Sequence, residues 1–241
     1  PDFPEPFVIL IVGRGCAYNC NFCQPAERSV FGARVRYRSA DNVLAELGVL
    51  KKRYDFKSLM FHDDCLLQNI AWCREFAGKW IKLGYNLPFA CQSRADIICK
   101  HQDAVSEMAQ AGLKLLLIGF ESGSQRVLDF LNKGTTVKEN IEAARICRQN
   151  NIKVWANYML GIPTETKAEV GETVRMLRKI QPDYYSLSYY TPHPGSGLYD
   201  YVIERDLSLI KDYESFRRNP AEPKIKGVDY DFLFRANFMA T

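Results

Sequence analysis

Short apolar runs alternate with longer segments of helical period along most of this chain. The runs occupy residues 7–12, 57–62, 87–91, 114–120, 153–159 and 183–189 and are dense in Val, Ile, Leu, Phe and Tyr. Several are almost continuously apolar, as parallel strands covered on both faces are. Helical stripes lie between them. Ser39 is placed to cap a helix reaching about Tyr54, with Val43, Leu47, Leu50 and Tyr54 on one side. Leu66, Ile70, Cys73, Ala77 and Trp80 mark a second helix, ended by Gly84. A shorter one runs from Asp103 to Ala111. Thr136 with Glu139, and Thr166 with Glu169, read as capping boxes that open two more. Ser124 is placed to cap a turn through Val127 and Leu128, and a weaker helix is expected near Ser196. After about Arg205 the pattern lapses. Pro220, Pro223 and mixed charges predict an irregular tail with a short strand near Phe232.

Six β–α units in succession predict an α/β domain with a parallel sheet and right-handed crossovers. An open doubly wound sheet and a barrel, whole or partial, both satisfy the pattern, and in both the ligands gather at the C-terminal strand ends. The chain divides accordingly into a linker or domain junction (1–6), the six-unit domain (7–204) and an irregular C-terminal extension (205–241). The opening Pro-Asp-Phe-Pro-Glu-Pro, without an initiating Met, reads as a linker from a preceding domain.

Composition narrows the class. With 241 residues, 47% hydrophobic and 25% charged, the chain has an ordinary globular makeup and length enough for a full core. No apolar run reaches the ~18 residues of a membrane span. Thirty-two basic against 28 acidic residues leave a net charge of +4, too mild to point to nucleic acid. Eight cysteines without a secretory leader favour reduced thiols or a metal site over disulfides, and a cytoplasmic setting.

The strand ends carry the candidate chemistry. Past the first run come Cys16, Cys20 and Cys23, spaced C-x3-C-x2-C, with Gly13 and Gly15 to allow the loop to wrap. Three thiolates from one loop suit three irons of a 4Fe–4S cube, the fourth iron remaining open. A zinc loop completed by a distant ligand is the alternative, although structural zinc sites more often use paired C-x2-C knuckles.

The spacing, with aromatic Phe22 just before the last cysteine, resembles the signature of the radical S-adenosylmethionine superfamily. The resemblance covers roughly residues 7–201. It implies a partial (β/α)6, TIM-like barrel, a 4Fe–4S cluster on Cys16, Cys20 and Cys23, and S-adenosylmethionine chelated to the open iron. It further implies reductive cleavage of that cofactor to a 5′-deoxyadenosyl radical that abstracts hydrogen from a substrate. An electron donor such as flavodoxin or ferredoxin would be the partner.

The resemblance also assigns cofactor contacts. Phe22 belongs to the signature itself. Asp63 and Asp64 follow the second run where the family often has Gly-Gly-Glu, and a carboxylate there suits the cofactor's ammonium. Asp64 is also placed to cap the helix at Leu66. Arg94 is placed to pair the cofactor carboxylate, or else to bridge to Asp96. Glu121 and Ser122 begin a Glu-Ser-Gly-Ser segment beside the cofactor, with Ser124 structural. Asn157 and Gly161 belong to a stretch that contacts adenine and ribose, and Tyr190 is placed to stack near adenine or simply to pack.

Within the superfamily, the Asp-Asp pair, Glu-Ser-Gly-Ser and Pro192-His193-Pro194-Gly195 look most like the cobalamin-binding branch. That branch includes methyltransferases of unactivated carbon and ring-forming enzymes. Its Asp-x-His-x-x-Gly cobalamin motif does not occur here, so cobalamin is expected only through a domain preceding this chain. The other readings are a cobalamin-independent rearrangement, cyclisation or methylthiolation, and a zinc- or cluster-stabilised binding module without enzymatic activity. The substrate itself is not legible. Cys73 and Cys147 read as buried thiols, and His193 as a loop residue. Cys65 and Cys91 stand at strand ends facing the site, with Cys99 on a helix start. Arg28, Arg34, Arg36 and Arg38, interleaved with Phe31 and Tyr37, read as a solvated loop face, with a phosphate or acidic partner as the alternative.

Overall fold

The computed structural model describes residues 3–23, 32, 34–216 and 222–240. Six strands form one parallel sheet: β1 (Phe7–Leu10), β4 (Ser58–Phe61), β5 (Phe89–Ser93), β6 (Leu113–Glu121), β7 (Lys153–Leu160) and β8 (Tyr184–Tyr189). A separate antiparallel ribbon joins β2 (Gly13–Arg14) to β3 (Arg36–Tyr37). In the large sheet the spatial order β1-β4-β5-β6-β7-β8 is the chain order. A doubly wound sheet reverses direction at a switch point. Here there is no reversal, so crossovers of one hand place the helices on one face, as around a barrel wall. The strands β1 and β8 do not pair, so the wall is a partial barrel.

The helices follow from local signals. Ser39 caps α1 (Ala40–Arg53), its side chain accepting from the Asn42 N–H. Val43 and Leu47 are buried as expected, whereas Tyr54 is the exposed C-cap rather than part of the stripe. After β4 the chain makes one 3-10 turn (Leu66–Gln68) before α2 (Ile70–Lys82), which Asn69 caps through the Trp72 N–H. The helix thus starts four residues later than Leu66 suggested, and Asp64 caps nothing. Next come α3 (Ala95–Lys100), α4 (Gln102–Gln110) and α5 (Gln125–Phe130). Both capping boxes are present, at α6 (Val137–Gln149) and α7 (Lys167–Ile180). Ser196 caps α8 (Gly197–Glu204).

The expected strand near Phe232 is instead α9 (Tyr230–Ala240). The Asp229 carboxylate accepts from the Phe232 N–H at its start. Leu233, Ala236 and Ala240 then recur at helical spacing and are buried, with α9 packed on α7. Alternate aromatics at Tyr230, Phe232 and Phe234 give the look of a strand; the period of the small and branched residues decides for a helix.

Alternation sorts the strand residues by face. Leu10, Leu59, Phe61, Phe89, Cys91, Leu116, Ile118, Phe120, Val154, Ala156 and Tyr158 enter the core under the helices. Phe76 of α2 anchors it, stacked on Trp72 at 5.1 Å and edge-on to Phe61 at 5.3 Å. The inner face holds the alternate positions: Ile9, Met60, Gln92, Leu117, Gly119, Trp155, Asn157 and Ser186, uncharged between Lys153 at the start of β7 and Glu121 at the end of β6. It is only partly covered, and Ile9 is 57% exposed.

Candidate functional site

The three cysteines of the motif follow the β2 strand on a loop tied down at both ends. The Asn21 N–H donates to the Leu131 carbonyl at 2.9 Å, and the Asn21 carbonyl accepts from the Leu198 N–H at 2.9 Å. The Asn132 side-chain amide donates to the Asn19 carbonyl at 2.8 Å. Residues at the end of α5 and the start of α8 therefore hold the loop over the C-terminal strand ends. Gly15 takes a φ of +103°, which an L side chain rarely adopts. Phe22 packs beside an apolar cluster of Val127, Leu131 and Leu198, and so anchors the loop. Cys16, Cys20 and Cys23 are free thiols, half-buried to exposed. Desolvation, then the charges of the other two cysteines, pushes the Cys23 thiol up to about 11. Desolvation also raises Cys16.

Two cations stand against this loop. Arg94, 6% exposed at the start of α3, lies 3.7 Å over the Tyr18 ring. Its Nη1 approaches the Cys20 sulfur at 3.7 Å, its Nε pairs with Asp96 at 3.0 Å, and its Nη2 donates to the Lys133 carbonyl. The expected bridge to Asp96 and the approach to the cysteines therefore coexist. Lys133 is the second cation. Its ammonium pairs with Glu121 at 2.9 Å, both side chains buried, and its charge reaches Cys23. Glu121 ends β6 with a φ of +59°. Gly119 clears the space for this pair, since a Cβ there would collide with the Glu121 carboxylate and stand 2.9 Å from the Lys133 ammonium. Asp64 is exposed, and its charge acts on Cys16 and Cys23.

The remaining residues are placed differently. Asp63 is buried and accepts from the Val12 N–H at 3.0 Å and from the Gly13 N–H, so it fixes the exit of β1. Ser122 faces α7, sharing a hydrogen bond with Thr173 at 3.2 Å. Ser124 does not cap α5; its hydroxyl donates to Glu169 at 3.3 Å. Asn157 stands on the inner face, in register between Gly119 and Ser186. Gly161 has a φ of +76° and lies under α9, where an added Cβ would meet Leu233 at 3.0 Å. Tyr190 is buried with Met159, Ile162 and Leu198. Cys91 belongs to the helix-side core; Cys65 is buried in that core as well, within electrostatic reach of Arg94 and Cys16, and burial raises both thiols, Cys65 to about 12. Arg28 and Phe31 lie outside the described residues. Lys133 is not legible as a site residue, because only the tertiary fold brings the turn after α5 to the cysteine loop; Tyr18 lies in the motif itself, but its stacking under Arg94 is likewise tertiary.

A family model described as the Radical SAM superfamily matches residues 10–177. The chain belongs to the radical SAM superfamily. An uncharacterized methyltransferase of Pyrococcus horikoshii is 28% identical over 92% of this chain and 47% of its own length. The anaerobic magnesium-protoporphyrin IX monomethyl ester cyclase of Cereibacter sphaeroides is 30% identical over 85% of this chain and 33% of its own. The chain thus spans less than half the length of these relatives. Among solved structures, the radical S-adenosylmethionine methyltransferase TsrM of Kitasatospora setae superposes with a TM-score of 0.74 at 18% identity, over 86% of this chain and 41% of that one. Radical SAM enzymes use a 4Fe–4S cluster and S-adenosylmethionine, and the site fits both. A cube takes each thiolate on a separate iron, and Cys16, Cys20 and Cys23 are free thiols on one loop. A cube held by three thiolates would carry negative charge, and Arg94 and Lys133, each paired with a carboxylate, stand beside the loop that would hold it.

The strand-seven exit of this radical SAM barrel also holds a carboxyl outside the ordinary range. Glu165 accepts from the Gly161 N–H at 2.8 Å and the Ile162 N–H at 3.3 Å. Its other oxygen is buried without a partner among the described residues. Burial outweighs these hydrogen bonds and pushes the carboxyl up to about 7. The fold therefore favours the protonated form. That contribution is complete below the ordinary carboxylate value of about 4.3 and fades as pH rises through about 7. Glu165→Gln keeps an acceptor but cannot ionise. The stability of the wild type relative to this variant is expected to fall by roughly 2–3 kcal/mol between about pH 4 and pH 8. Urea midpoints at the two pH values measure it; a pH-independent difference would show that Glu165 is already ionised.

Proposed function

We propose that this chain is the catalytic barrel of a radical SAM enzyme that functionalises an unactivated carbon. The observation that carries the reading is the cysteine loop, fixed at the C-terminal strand ends with Arg94 and the Lys133–Glu121 pair beside it. Cys16, Cys20 and Cys23 would hold the cluster. When bound, the cluster and S-adenosylmethionine supply reductive cleavage to a 5′-deoxyadenosyl radical. Arg94 would pair the cofactor carboxylate, and Glu121, with Asp64 nearby, would receive its ammonium. Asp63 sets the loop's entry, and Phe22 anchors it. Asn157 offers the polar group of the inner face; Gly161, Ser122 and Tyr190 support the strand ends.

The preferred outcome is methylation using cobalamin held by a domain outside this chain. Methyltransferases among the relatives, and the fold shared with a cobalamin-bound methyltransferase, support it. Ring formation is the second reading, supported by the cyclase relatives. The middle of the inner face, Leu117, Gly119, Trp155 and Asn157, is uncharged and favours a substrate that presents an apolar surface there, next to the charged Glu121–Lys133 pair. Flavodoxin or ferredoxin would supply the electron. No described helix is long and apolar enough to cross a membrane, and eight cysteines fit the reducing cytoplasm.

Anaerobic reconstitution with iron and sulfide tests the class. The expected product absorbs broadly near ~400 nm and, with dithionite and S-adenosylmethionine, forms 5′-deoxyadenosine. Protein that instead retains one zinc and yields no deoxyadenosine overturns it.

A further inference from the structure

We infer that the β2–β3 ribbon is the docking surface for an acidic electron-donor protein. The inference rests on the cluster reading above. Arg14 and Arg36 are directly opposite one another in the ribbon's register, and both are exposed. Arg34, two residues before Arg36, is exposed as well. Like charges placed directly across a strand pair destabilise it. None of the three makes a side-chain hydrogen bond or ion pair among the described residues. The contrast with Arg38 is instructive. That side chain is fully engaged, with Asn42 at 2.8 Å, Glu46 at 2.5 Å and the Ile11 carbonyl at 3.4 Å. Arg38 is thus neutralised within the fold, while Arg34 and Arg36 join Arg14 as charge without a partner among the described residues.

The location gives this charge a use. Arg14 precedes Cys16 by two residues, so at most about 7 Å of chain separates them. An acidic surface seated on the ribbon brings its redox centre beside the cysteine loop. Complementary charge steers such encounters and sets their salt dependence. The transfer is a single electron: the donor is oxidised by one electron, the cluster is reduced by one, and no bond or proton changes place. A nucleic acid fits less well. Tyr37, the ribbon's aromatic, packs inward against the core and offers no stacking platform.

The probe is a reduced bacterial flavodoxin, tested against the reconstituted protein and its Arg14→Glu variant. This substitution places opposite charges across the ribbon, so the melting temperature should not fall. Flavodoxin binding, measured by surface plasmon resonance, is expected to weaken about 10-fold and to lose most of its salt dependence. Flavodoxin-driven 5′-deoxyadenosine formation should fall in parallel, while dithionite-driven formation stays unchanged. Arg36→Glu should repeat the result. Unchanged flavodoxin affinity in both variants overturns the inference, as does an equal loss with dithionite. A labelled single-stranded oligonucleotide that binds the wild type more tightly than flavodoxin does, and loses affinity in the same variants, overturns it in favour of nucleic acid. Failure of the wild type itself to form deoxyadenosine with dithionite would instead count against the cluster reading.

Discussion

Cys20→Ala, reconstituted anaerobically beside the wild type, is expected to lose the broad absorption near ~400 nm and to form no detectable 5′-deoxyadenosine with dithionite. Cys20 is the motif cysteine whose sulfur Arg94 approaches. Its side chain is only half-buried, and the loop is held by backbone and amide bonds of Asn19, Asn21 and Asn132 rather than by the thiol. Removing one sulfur should therefore leave folded stability within about 0.5 kcal/mol of wild type. That separation makes the result decisive. A variant with unchanged circular dichroism and urea midpoint, but no cluster, assigns Cys20 as a ligand. A variant that still holds a complete, redox-active cluster would remove Cys20 from the site.

The largest loss of stability should come from Lys133→Met. The substitution leaves Glu121 charged, 8% exposed and without its ammonium. Breaking a buried pair on one side costs about 3–5 kcal/mol, more than the pair itself contributes relative to neutral groups. The double variant Glu121→Gln, Lys133→Met should recover most of the loss, because no buried charge remains unpaired. Urea denaturation of the three variants and the wild type completes the cycle. Equal losses in the single and double variants would mean that Lys133 acts through packing, not charge.

These two positions mark the boundary of what the sequence discloses. Cys20 is legible because its chemistry is local: three thiols within eight positions, just past a strand, with a glycine at the bend. The capping boxes at Thr136 and Thr166 are local too, and both form as their spacing requires. Strand succession is likewise readable from period alone, but the pairing order that separates a barrel wall from a doubly wound sheet is not. Lys133 is different. It sits in a turn with no motif, and its partner is brought to it only by the closure of α5 against the end of β6. Asp63 shows the complementary failure: residue type and strand-end position suit a ligand contact, yet the carboxylate is taken by two backbone N–H groups. The Arg14–Arg36 opposition depends on a ribbon register that two-residue strands leave invisible in sequence. The helix at Tyr230–Ala240 is hidden in sequence because alternating aromatics mask its helical spacing.

The anchoring of the cysteine loop bears on the order in which the protein matures on the ribosome. The loop is synthesised early, but its backbone partners at Leu131 and Leu198 are synthesised late. The strands can pair with their predecessors as they emerge, each against a neighbour already made. The three thiols cannot. They acquire their final setting only when the start of α8 arrives, close to the end of the barrel's synthesis. A cluster on these thiols would then be expected to assemble only after the wall is finished.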